Sequence, residues 1–192
     1  MAQTAAWLVD CVIPEVPVRQ WVLSFPIPLR SLFAVHPELL TLVLQIIHRV
    51  IATHLIKQAG FKRSDAATGA VTLIQRFGSA ANINIHLHGL VLDGVYCTSA
   101  EGVPVFHPAP ALTNEKLQAL LDKIITRILR LLTREGHLVE EEGRTHCAVA
   151  AGIHATSGNR AGTAGTGSSL PFPILDIQST CWNPPARRWS AS

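Results

Sequence analysis

Two histidines one residue apart stand inside an apolar stretch, NINIHLHGLVLDGVY, that runs from Asn82 to Tyr96. A strand alternates its side chains between faces, so His86 and His88 project from the same side. Strand rise puts their attachment points about 6.5 to 7 Å apart. Two imidazoles at that spacing can converge on one cation at about 2.0 to 2.2 Å. Asn84 continues the polar face, and Ile83, Ile85, Leu87 and Val91 make the apolar one. On spacing alone, two solvated histidines on a half-exposed sheet are the plainer reading. Tyr96, the only tyrosine in the chain, follows eight residues after His88 and just past an Asp93-Gly94 turn signal.

Few other groups suggest chemistry. Lys57, Lys62, Arg63 and Arg76 flank the end of one predicted helix and a predicted strand, where they could meet phosphates or only water. Arg127, Arg130 and Arg134 recur along one side of a second helix and read as a solvated face. His107, His137, His146 and His154 have no partner at ligand spacing. Arg187 and Arg188, beside Trp182 and Trp189, have the make-up of a single-strand-binding patch, but their irregular surroundings argue against a function. No glycine-rich phosphate loop occurs, so no nucleotide cofactor is expected. Cys11, Cys97, Cys147 and Cys181 are scattered, which suits neither a zinc ribbon nor a disulfide framework and makes the cytoplasm the expected compartment.

The 192 residues suffice for one domain with a core; 48 % are apolar and 15 % charged, against bulk disorder. A net charge of +3 permits a nucleic-acid partner without requiring one. The N-terminus lacks a basic segment and a long apolar run, so no signal peptide is expected. The most apolar window, Leu39 to Ile56, contains Gln45, His48, Arg49 and His54, which fits a core helix and no membrane partner.

The elements that must position the histidines follow from periodicity. Val18 to Phe25 reads as a strand ended by Pro26 and Pro28. Glu38 to Gln58 carries a broad helical stripe after Pro37, with Gly60 as its stop. Ala70 to Phe77 and Ile83 to Val91 read as an antiparallel hairpin. If Phe77 pairs with Asn82, Leu73 faces His86 and Gln75 faces Asn84. A proline-dotted loop, Pro104 to Pro110, leads to a helix capped by Thr113 and ended by Gly136. The predicted class is α+β: an antiparallel sheet with helices on one face, in a split βαβ, ferredoxin-like order. Its last strand is expected to be missing. Residues 1–144 form the predicted domain, and 145–192 a disordered or irregular tail.

The blocks VPVRQWVLSFPIPLR (16–30), HRVIATHLIKQAG (48–60), TGAVTLIQRFGSAANINIHLHGLVLDGVY (68–96) and RILRLLTREGHL (127–138) resemble the two-tyrosine, rolling-circle type of insertion-sequence transposase. These belong to the HUH nuclease superfamily, named for a His-hydrophobic-His motif. The resemblance covers roughly residues 1 to 140. It implies a divalent cation, magnesium or manganese, held by His86 and His88, with Gln75 as a possible third ligand. It implies single-stranded DNA at transposon ends as the partner. The chemistry implied is cleavage and strand transfer through a 5′-phosphotyrosine link.

The chain departs from that pattern twice. It is expected to start after the family's cysteine-rich upstream segment. The family's catalytic tyrosines come from a later helix, whose place is taken here by the tail after about Arg144. Tyr96 therefore reads as a structural residue, and the chain as a transposase fragment inactive alone. Two alternatives remain: a non-catalytic nucleic-acid-binding module, and an HUH replication initiator or relaxase.

Overall fold

The computed structural model describes residues 7–77, 83–141, 144–147 and 176–182. After a π-helical turn at Leu8–Val12 come β1 (Val18–Ser24), α1 (Ile27–Val35), α2 (Pro37–Gln58), β2 (Ala66–Ala67), β3 (Ala70–Phe77) and β4 (Ile83–Leu92). β5 (Gly94–Thr98), β6 (Pro104–Pro108), α3 (Asn114–Arg134), β7 (Leu138–Glu141), β8 (Arg144–Cys147) and β9 (Asp176–Trp182) follow.

The main sheet has the order β3-β4-β1-β9, with β4 and β9 both antiparallel to β1. Counting only its own strands, the sheet runs second-third-first-fourth, which is the split βαβ arrangement. β9 corrects the expectation that the last strand is missing. Asp176–Trp182 pairs with β1 along its whole length, Leu23 opposite Ile177 and Val18 opposite Trp182. Ile177, 7 % exposed, anchors it in the core. An edge strand needs only such a narrow apolar contact, so its sequence signal is weak. The start of the predicted irregular tail also lies in a strand, β8, paired with β7; the rest of it, 148–175 and 183–192, lies outside the described residues.

One face of the sheet makes the core. Register mates Leu87, Leu23 and Ile177 lie in a row, with Trp21 and Val91 on the same face, all buried. α2 buries Leu39, Leu40, Val43, Ile47, Val50, Ile51, Leu55 and Ile56, spaced three and four apart. α3 adds Leu120, Ile124, Ile128, Leu131 and Leu132. α2 is the one described helix long and apolar enough to cross a membrane. Here its apolar stripe is used in this core.

Both long helices end in the same device. Gly60 and Gly136 have φ of +80° and +75°. Each donates its N–H to the carbonyl three residues back, and the next residue donates five back. That is the Schellman motif, and it satisfies carbonyls the helix leaves open. Thr113 Oγ1 accepts from Lys116 N at 3.4 Å, capping α3 as expected.

Between β4 and β5 the chain leaves the main sheet for a second one, ordered β2-β5-β6. A Cβ on Gly94 would lie 2.3 Å from the His107 carbonyl oxygen, so only glycine fits this crossing. Asp93 beside it is buried and takes a two-pronged ion pair from Arg19: Nε to Oδ1 at 2.9 Å, Nη2 to Oδ2 at 2.6 Å. Cys181 of β9 also donates to Asp93 Oδ2, at 3.2 Å. Asp93 thus ties β1, β4 and β9 together at one end of the sheet.

Candidate functional site

The helices cover the Leu87 face of β4, so the residues between those buried ones point the other way. His86 and His88 are there, half-buried among buried Ile85, Leu87 and Val91. Register fixes their neighbours. Gln75, His86, Ser24 and Asp176 form one cross-strand row; Leu73, His88, Val22 and Gln178 form the next. At Gln75 the observed pairing is two residues from the expected one: Phe77 pairs with Ile83 rather than Asn82, and a register irregularity between Gln75 and Phe77 adds the second residue. A two-residue shift preserves faces. It also brings Gln75 directly opposite His86 rather than Asn84.

Hydrogen bonds orient two of these side chains. His86 Nδ1 lies 3.0 Å from the Asn84 carbonyl oxygen. A carbonyl only accepts, so Nδ1 carries the proton and Nε2 presents its lone pair. Gln75 Nε2 donates to the Phe77 carbonyl at 3.2 Å, leaving Oε1 as a free acceptor. Asn84 Oδ1 is buried and has no hydrogen-bond partner among the described residues. No set of three or more His, Cys, Asp or Glu side chains among the described residues is arranged for a metal. The polar side chains that the described residues place beside one another here are imidazoles and carboxamides.

A family model whose description reads "Putative transposase" matches residues 69–165. The chain belongs to this transposase family. The match takes in Gln75, His86, His88 and α3. No curated protein and no solved structure matches the chain.

Other residues singled out from the transposase sequence fall elsewhere. Tyr96 sits in β5, opposite Ala67 and Phe106, its ring 5.1 Å from that of Phe106. It thus belongs to the smaller sheet, not the histidine face. Lys57, Lys62, Arg63 and Arg76 are all exposed. Arg63 donates to Thr53 Oγ1 at 3.2 Å, and no contact among the described residues joins Arg76 to the other three.

Two pairings were not legible in the sequence. Cys97 Sγ lies 3.0 Å from His107 Nε2, because β5 and β6 pair over ten residues of separation. The rings of His36 and His137 meet at a tilt of 50° with centroids 4.7 Å apart, joining the starts of α2 and β7. On α2, burial lowers the pKa of His48, whose Nε2 meets Thr72 Oγ1 at 2.7 Å. Burial first, then the charges of Lys116 and Lys123, lowers that of His54.

Proposed function

We propose that this transposase is of the HUH type and handles single-stranded DNA at transposon ends through a divalent cation, manganese or magnesium, on the open face of the main sheet. One observation carries the reading: His86 and His88 lie side by side on that face, with the His86 tautomer set by the Asn84 carbonyl. His86 Nε2 and His88 are the expected ligands, and Gln75 Oε1 is the neighbouring oxygen donor. A cation bound there supplies positive charge to the phosphoryl oxygens of a scissile phosphate. The histidines would fix where that phosphate lies.

Covalent strand transfer also needs a hydroxyl in line with the phosphorus at about 3 to 3.5 Å. Tyr96 is held in β5 against Phe106, in the other sheet. We therefore infer that this chain alone binds single strands without cutting them, in the cytoplasm. A stacking module of the RNA-recognition kind is disfavoured, since the central strands carry no Phe, Tyr or Trp on this face, which presents Gln20, Val22, Ser24, His86, His88 and Leu90.

The assay is incubation of labelled single-stranded transposon-end oligonucleotides with manganese. We expect a manganese-stimulated complex that is lost in the His86→Ala, His88→Ala double variant, and no covalent adduct. Complex formation indifferent to both metal and histidines would remove the reading. An adduct that disappears in Tyr96→Phe would put the nucleophile on β5 and overturn the inference of inactivity.

A further inference from the structure

On the opposite side of the sheet from the histidines, the helix layer contains a groove of about 390 Å³ between α2 and α3. Four arginines line it: Arg49 from α2, and Arg127, Arg130 and Arg134 from α3. Its apolar floor is Leu42, Ile46 and Leu131. The three α3 arginines follow one another at intervals of three and four, so they form a stripe along one helix face. The other face of α3 is committed to the core. The whole chain has 16 Lys and Arg residues, and a quarter of them converge here.

All four arginines are exposed, and no acidic side chain lines the groove. Arg134 pairs with Glu135 at 3.0 Å. Arg49, Arg127 and Arg130 have no carboxylate within ion-pair distance among the described residues. Like charges facing one another across a groove repel unless an anion lies between them. A guanidinium presents a planar fork that matches phosphate oxygens in two-pronged fashion.

We propose that this groove is a second nucleic-acid site, which holds the phosphate backbone of a single strand on the side of the sheet away from His86 and His88. Packed helices lie about 8 to 10 Å apart, so the seam between them is too narrow for a duplex to enter. A single strand fits, with phosphates against the arginines and bases over the apolar floor. The proposal rests on the reading of the chain as a DNA-handling transposase, but the groove requires no metal.

The test is fluorescence anisotropy with a labelled oligo-dT strand in EDTA, over a salt series. Each single-strand phosphate contact contributes about 0.7 to the slope of log affinity against log salt. The Arg127→Gln, Arg130→Gln variant should therefore show a slope shallower by about 1.4, with affinity at low salt down about tenfold. The matching Arg→Lys pair should keep most of the slope, and thermal melting of both variants verifies folding. Equal affinity and slope in wild type and the folded Gln variant would overturn the proposal. So would loss of binding to an acidic peptide with oligonucleotide binding intact, which would assign the groove to a protein partner. The His86→Ala, His88→Ala variant should bind normally in EDTA. If it does while manganese binding is absent even in wild type, the metal reading fails and the groove stands.

Discussion

Replacing Asp93 by alanine should be among the most damaging single changes in the protein. The carboxylate is 9 % exposed and the Arg19 side chain 12 %, with contacts of 2.9 and 2.6 Å. Truncation leaves Arg19 as an unpaired charge in a mostly buried place. Breaking a buried pair in this way costs about 3 to 5 kcal/mol. It also removes the acceptor for the Cys181 thiol on β9. For a chain of this length the loss corresponds to a drop of about 6 to 20 °C in melting temperature. Urea denaturation of Asp93→Ala, Arg19→Ala and the double variant gives the cycle. The double variant should cost clearly less than the two singles added together, because it no longer strands a charge. The Cys181 thiol has its pKa raised by burial and then by Asp93, so alkylation of Cys181 should quicken in Asp93→Ala. A loss below about 1 kcal/mol with an additive cycle would show the pair to be effectively solvated.

Three further outcomes are expected. Gly94→Ala places a methyl 2.3 Å from the His107 carbonyl and 2.5 Å from the Phe106 ring, so chemical denaturation should show a loss of at least about 2 kcal/mol. Ile177→Ala should cost about 2 kcal/mol, low in the range for a core truncation because β9 is an edge strand, and should hasten proteolysis near residue 176. His48 and His54 have folded pKa values below the ordinary 6.5, so the unfolded chain binds more protons. Stability should be full above pH 6.5 and fall as the pH drops below it, and His48→Gln should flatten that melting profile.

The sequence revealed which strand bears the histidines, which way they point and what lies behind them, because alternation and the core stripe are local signals. Register is less local: the hairpin pairs Phe77 with Ile83 rather than Asn82, the irregularity at Gln75–Phe77 adds one more residue, and only face parity survives. α1 was missed since Pro26 and Pro28 read as strand terminators, whereas proline also fits the first helical turn. β6 was read as loop because of Pro104 and Pro108, which an edge strand tolerates. β9 carries one core side chain after a long stretch of small residues, so nothing in its own seven residues shows that β1 waits for a partner. The arginine groove needs two helices distant in sequence to meet, and Arg49 has no periodic relation to Arg127.

Whether His86 and His88 hold a cation is decided by isothermal calorimetry of manganese binding to the whole chain. Binding should be weak, far short of a structural zinc site, abolished in His86→Ala, His88→Ala and reduced in Gln75→Ala. Equal manganese binding by the wild type and the histidine double variant would contradict that expectation.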